Sequence, residues 1–249
     1  MVVKCGWASV GETGRGRGNK AGDQTGREVK LGAWYDFGQT VMLRFKKRTI
    51  AEAYAKAIRQ MCNNQNIGYD MDDRDTLWNA LNKVGWDVSK VVKPVECDCS
   101  MLVACGVNVA VGKALISKDV YTGNLVKKLM ATKMFEEETA ARFLRKSDYL
   151  LTGDILNRAE HHVISVVDGH ADHVVARPTL RKGDKGGEVE LLQNNLNSVK
   201  GLSGAKLVED GDFGDKTKAK VEAFQKKSKI LVDGIYGKVT ASSMNEVIK

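Results

Sequence analysis

The stretch Cys97–Gly112 constrains this chain more than any other. Cys97-Asp98-Cys99-Ser100 is followed by Met-Leu-Val-Ala-Cys-Gly-Val-Asn-Val-Ala-Val, apolar on nearly every side of a helix. A helix that is apolar all round is buried, so other elements must cover it on all faces. Asp98 and Ser100 are cap residues by type, which sets Cys99 at the helix N-terminus, where free N–H groups and the dipole favour an anion. A thiol in that position is expected to titrate below its usual value of about 8.5, toward roughly 3.5–7.5, and to act as a nucleophile. Cys97 precedes the helix and gains less.

A thiolate nucleophile needs a base within hydrogen-bond reach and a group that orients the base. The four histidines, His161, His162, His170 and His173, all fall in one short segment. His162-Val163-Ile164-Ser165-Val166-Val167 reads as a strand, and Asp168-Gly169 reads as a hairpin turn leading to a return strand over about 170–176. With a two-residue turn, Ile164 pairs with His173, which then shares a face with His162 and lies diagonal to it. His161 and His170 fall on the other face. A three-residue turn shifts the register by one and brings Asp172 to that place instead. His162 is therefore the candidate base, with His173 or Asp172 as its partner.

Five cysteines, an odd and irregularly spaced set, argue for reduced thiols rather than a disulfide framework. Cys62 and Cys105 fit helical apolar patterns and read as core. Cys97, Cys99, His161 and His162 depart from common zinc-ligand spacings, so no metal or other cofactor is expected. A formal charge of +8 favours an anionic partner. Nucleic acid is disfavoured, because the few aromatics are not interleaved with basic residues as a stacking platform requires. No apolar run approaches the ~20 residues of a membrane span, and the N-terminus lacks the apolar core of a signal peptide. Synthesis in a cytoplasm, with release by another agent if the protein works outside its cell, is the expectation.

Residues 6–40 are glycine-rich and polar, without the Gly-Lys-Ser/Thr ending of a phosphate loop, and read as a long ordered loop lining a cleft. Val29–Phe45 reads as extended chain. Thr49-Ile50-Ala51-Glu52 is a capping box opening a helix with Tyr54, Ile58 and Met61 inward. A second helix follows Asp72 or Asp73 and stops at Gly85, and another spans about 123–132. Gly153-Asp154-Ile155-Leu156 opens a strand. Helices followed by antiparallel strands make an α+β domain over residues 1–176. Arg177-Pro178-Thr179 reads as a linker. Beyond it, Gly211-Asp212-Phe213-Gly214 with Thr217 is echoed by Gly234-Ile235-Tyr236-Gly237 with Thr240, each followed by a helical pattern. With the helix before them, these units imply an all-α three-helix domain over 180–249.

Asp98-Cys99-Ser100-Met101-Leu102-Val103 resembles the nucleophile motif of the NlpC/P60 cysteine peptidases of bacterial cell walls, usually Asp-Cys-Ser-Gly-Leu-Val. Gly153-Asp154-Ile155-Leu156 and His162-Val163 resemble that family's Gly-Asp strand and histidine strand, and His173 matches its third polar position. The Gly22–Gly26 segment and Trp34-Tyr35 resemble phage-type peptidoglycan amidohydrolases of the superfamily. The resemblance implies a papain-like fold and a Cys99–His162–His173 triad. It further implies an endolysin-like monomer that cleaves an amide bond of peptidoglycan, with Asp23, Gln24, Trp34 and Tyr35 near the substrate. Met101, where glycine is usual, is expected to narrow the space beside the nucleophile. The C-terminal repeat resembles a three-helix peptidoglycan-binding domain, with Asp212, Phe213, Tyr236 and Thr240 as candidate wall contacts. The basic charge would also suit anionic wall polymers.

Overall fold

The structure is a computed structural model and describes residues 2–170 and 179–247. The chain divides into two compact units, Met1–Ala171 and Asp172–Lys249.

The first unit is built on a six-stranded antiparallel sheet. Its strands are β1 (Lys4–Ala8), β2 (Val29–Ala33), β3 (Val41–Phe45), β6 (Phe135–Glu138), β7 (Ile155–Arg158) and β8 (His162–Asp168), in the order β2-β1-β8-β7-β3-β6. A parallel pair, β4 (Ile67–Tyr69) and β5 (Val95–Cys97), stands apart from it. The helices are α1 (Arg48–Cys62), α2 (Thr76–Lys83), α3 (Cys99–Val111), α4 (Thr122–Ala131) and the single turn α5 (Ala141–Leu144). The result is a mixed α and β unit, as expected, although its strands come from both ends of the segment rather than after the helices.

The buried helix read at Cys97–Gly112 is α3. Every residue from Cys99 to Asn108 is buried, and Gly112 closes the helix in the left-handed conformation at φ 67°. Its close approach to α1 requires Gly106, where a Cβ would stand 2.7 Å from both Ile58 and Tyr54 side-chain atoms. Val163 and Val167 of β8 belong to the α3 core, whereas Ile164 and Val166 join Trp7, Met42, Phe143 and Leu150 in a second core on the sheet's other face.

Two expectations are corrected. The helix α1 begins at Arg48 behind Lys47, which makes no side-chain cap, so Thr49–Glu52 is not a capping box. Tertiary bonds set this start instead: Lys46 N–H donates to Met134 O, and Arg48 donates to Thr152 O at 2.7 Å. Nor does the chain fold back on β8 at Asp168-Gly169. Strand β8 already has β7 on one side and β1 on the other, with Ile164 paired to Leu156. Gly169 N–H donates to Thr152 Oγ1 and His170 N–H to Leu150 O, so the chain continues beside residues 150–152. The register that set His173 opposite Ile164 is therefore taken by β7.

The second unit packs α6 (Gly187–Ser198), α7 (Asp215–Lys227) and α8 (Lys238–Val247) around Val189, Leu192, Phe213, Phe224, Tyr236 and Met244. The internal repeat is explicit in its hydrogen bonds. The Gln193 amide nitrogen donates to Asp210, Asp212 O and Thr217, and that of Gln225 donates to Asp233, Ile235 O and Thr240.

Candidate active site

Asp98 fixes the start of α3. Its backbone is extended, its Oδ1 accepts from Met101 N–H and Ser100 Oγ, both at 2.7 Å, and its Oδ2 meets Arg74 at 2.9 Å. Arg74 also donates to Val120 O, which ties the helix start to the segment before α4. Cys99, the first residue of α3, is 7 % exposed.

The thiol is held in its neutral form. Burial pushes it up to about 12, and the adjacent Asp98 carboxylate adds to this, while N–H groups of Val163, Ser100 and Cys99 itself pull the other way. The expected lowering at the helix N-terminus is thus overturned, because the loss of solvent outweighs the donors gained at the helix end. Cys97, in β5, points elsewhere and donates to Gly68 O at 3.6 Å.

The N–H of Val163 at the sulfur joins the nucleophile candidate to β8 at the peptide next to His162. That histidine opens the strand, is half-buried, and is lowered by burial to about 4. Its imidazole stands edge-on to Phe37, with ring centroids 5.3 Å apart. Strand alternation gives Val163 to the α3 side and His162 to the Phe37 side. The resting pair is consequently neutral thiol and neutral imidazole, rather than thiolate and imidazolium. His161 is exposed at the turn between β7 and β8, and His173 and Asp172 lie outside the described residues.

Tyr35 and Tyr69 lie within electrostatic reach of Cys99. Burial raises the Tyr69 phenol, with Cys99, Asp98 and Cys97 contributing, and it raises Tyr35, with Cys5 and Cys99 contributing. Tyr35 is 39 % exposed and packs on Trp7 and Phe37, each with centroids 5.6 Å away. Trp7, Tyr35, Phe37 and His162 thus form one row of rings, of which Tyr35 is the member whose electrostatics reach the thiol. Of the four residues expected near substrate, Tyr35 belongs to this row. Trp34 packs against the second core. Asp23 is spent inside its own loop, accepting N–H groups of Thr25, Arg27, Glu28 and Val29, and Gln24 donates to Ala21 O and Gly22 O. Tyr69, Phe37 and Arg74 escaped the sequence reading; each lies far from Cys99 along the chain in a segment without a local signal.

Met101 is fully buried in the α3 core, so its side chain fills the core and does not narrow the opening beside Cys99. Among the described residues no group of three or more His, Cys, Asp or Glu side chains is gathered for a metal ion. In the second unit Phe213, Tyr236 and Thr240 are 0 %, 1 % and 3 % exposed, so they build the core and the turn rather than a surface for a wall polymer. Asp212 is exposed and pairs with Lys185 at 2.9 Å.

Comparison with known proteins points the same way for both units. Residues 185–244 match the family of peptidoglycan binding domains. The chain is 42 % identical over 65 residues to the N-acetylmuramoyl-L-alanine amidase CwlL of Bacillus licheniformis, covering 26 % of this chain and 18 % of the amidase. It is 35 % identical over 124 residues to the type VI secretion system spike protein VgrG3 of Vibrio cholerae, covering 45 % of this chain and 11 % of the spike protein. The chain thus spans less than a fifth of the length of either relative. The unit that carries Cys99 and His162 matches the endolysin-like domain from residue 5 to residue 172, and the chain belongs to that family.

Proposed function

We propose that the chain is a cell-wall hydrolase of the NlpC/P60 cysteine type, with a papain-like catalytic unit and a module that holds peptidoglycan. It cleaves an amide bond, either within the stem peptide or at the N-acetylmuramoyl-L-alanine junction. The observation that carries this reading is the position of the Cys99 sulfur: at the first turn of a buried, capped helix, against the Val163 N–H that adjoins His162. The endolysin-like family, the peptidoglycan-binding match and an amidase relative support the wall as its target.

The chemistry follows from the neutral resting pair. His162 serves as the base that takes the thiol proton as the sulfur attacks the substrate carbonyl. N–H groups at the α3 start receive the developing oxyanion. Collapse expels the amine, which takes the proton back from His162, and leaves an acyl thioester on Cys99. Water, deprotonated by His162, then releases the acid and the free thiol. His173 orients the imidazole, with Asp172 as the alternative. The C-terminal module raises local concentration on an insoluble substrate. The enzyme is made in a bacterial cytoplasm and meets the wall after release by a holin-type or other export route.

Clearing of purified cell walls by Cys99→Ala and Cys99→Ser tests the mechanism. Both substitutions should abolish clearing, and lysis that persists in Cys99→Ala would refute the thiol mechanism. Mass spectrometry of the released fragments identifies the bond: new N-terminal L-alanine marks an amidase, and new D-amino-acid termini mark an endopeptidase.

A further inference from the structure

The Asp98 carboxylate stands next to the candidate nucleophile and opposes its ionisation. A negative charge beside a sulfur that must give up its proton works against the reaction. Its Oδ1 is committed to the start of α3, accepting from Met101 N–H and Ser100 Oγ. Its Oδ2 pairs with Arg74 at 2.9 Å, where the Asp98 and Arg74 side chains are 9 % and 21 % exposed. With so little water around it, such a pair is weakly screened.

The chain builds this contact from both ends. Arg74 lies in Asp72-Asp73-Arg74-Asp75, yet it reaches past these acids to Asp98, while Asp72 and Asp75 pair with Arg17 and Lys118. Thr76, the first residue of α2, exchanges hydrogen bonds with Glu96 of β5. Its Oγ1 donates to Glu96 O at 3.2 Å and accepts Glu96 N–H at 2.7 Å. This bridge lies two residues from Arg74 and two from Asp98, and it sets the guanidinium against the carboxylate. The bond from Arg74 to Val120 O fixes the fork from its other side.

The other ionisable groups around the sulfur are uncharged near pH 8. Burial raises Tyr69 of β4, Tyr35 and Cys97 of β5, and it lowers His162 of β8 to about 4. Asp98 and Arg74 are thus the charged pair that a forming thiolate meets.

We propose that Arg74 is a positioning residue for the Cys99 nucleophile, holding the Asp98 carboxylate on the helix cap and offsetting its charge as the sulfur ionises. Its importance for catalysis rests on the hydrolase reading, whereas the charge effect does not.

The test is the rate at which iodoacetamide labels Cys99 in the full chain at pH 8, followed by peptide mass spectrometry. Cys97 and Cys105, both fully buried, are the references. Arg74→Gln keeps a hydrogen-bond donor and removes the charge. It should slow labelling of Cys99 about threefold, since a one-unit rise in the thiol cuts thiolate tenfold and the more basic sulfur recovers part of that. Arg74→Lys should restore most of the loss. Asp98→Asn, which keeps the capping oxygen, should speed labelling by a similar factor. A purely structural role gives Arg74→Gln the opposite sign, because a loosened site exposes Cys99 and the buried references together. Labelling of Arg74→Gln at the parent rate or faster overturns the proposal. So does a lack of acceleration in Asp98→Asn, which decides the matter alone where Arg74→Gln does not fold. Wall clearing separates the two readings. If Cys99→Ala still clears walls, the hydrolase reading falls and the labelling result stands. If Cys99→Ala abolishes clearing while Arg74→Gln labels at the parent rate, only the Arg74 assignment falls.

Discussion

Arg44 grips Asp154 with two parallel bonds, Nε to Oδ1 at 2.9 Å and Nη2 to Oδ2 at 2.6 Å, around a carboxylate with no exposed surface. The same carboxylate accepts Leu151 N–H, and the guanidinium reaches Tyr149 O and lies over the Phe143 ring. Gly153, at φ +93°, must precede it, because a Cβ there would stand 2.7 Å from the Cβ of Ala51. The Gly-Asp pair is thus a clamp between β3 and the entry to β7. Asp154→Ala leaves a half-buried guanidinium and Leu151 N–H without their partner and should cost about 1–3 kcal/mol. Urea denaturation reads this directly, and an unshifted midpoint would show that the pair contributes nothing.

The neutral resting state of Cys99 and His162 has a kinetic signature. With a thiol near 12, roughly one sulfur in 10⁵ is ionised at pH 7, so iodoacetamide should label native Cys99 slowly, with a rate that climbs past pH 9. His162, lowered to about 4, is unprotonated and competent as a base above that pH. The acid limb of wall clearing should therefore fall near pH 4. A midpoint near 6.5, or rapid labelling at pH 6, would mean that the site holds an ordinary imidazole or a preformed thiolate.

How much of this was legible in the sequence depends on how local each cause is. The α3 helix and its Asp98 cap are written in consecutive residues, and so are the two Gln-stapled turns, whose Asp-Gly and Thr positions repeat. Strand β6, Phe-Glu-Glu-Glu, has no apolar alternation to betray it, because it is a sheet edge whose charges face water. The partners of β8 are hidden for another reason: β1 lies some 160 residues earlier, and an Asp-Gly pair suggests a hairpin whether or not the flanking edges are free. The charge state of Cys99 depends on side chains from β4, α3 and β8 closing over it, and helix position alone carries no record of that burial.

Gln193 and Gln225 offer a test of the repeat. Each amide oxygen accepts the N–H of the turn glycine, Gly211 or Gly234, at 2.9 Å, while each nitrogen serves the following turn and its threonine. Leucine at either position keeps the bulk and orphans several buried groups, at about 1–3 kcal/mol for each one left without a partner. Gln193→Leu and Gln225→Leu should lower the melting temperature of the C-terminal unit by similar amounts. They should also release wall binding together with folded structure. A large loss from one and none from the other would make the equivalence one of sequence only.

Glu96 gives the first unit a dependence on alkaline pH. It is 2 % exposed in β5, accepts Gly22 N–H of the glycine-rich loop, and keeps its Oε2 buried without a hydrogen-bond partner. Burial first, then the neighbouring carboxylates Glu28, Asp70 and Glu12, raise it to about 8, while the Gly22 N–H opposes them. A carboxyl raised above its unfolded value of 4.5 binds its proton more tightly in the folded chain. Its stabilising contribution is complete below pH 4.5 and is lost progressively as the pH rises to about 8. Glu96→Gln keeps an oxygen for Gly22 and removes the charge at every pH. Thermal melts from pH 5 to pH 9 should show the parent losing stability across this window and the variant nearly level, with the variant the more stable at pH 9. Parallel curves for the two proteins would mean that Glu96 is not the group that titrates, and that the loop is held to β5 by contacts indifferent to its charge.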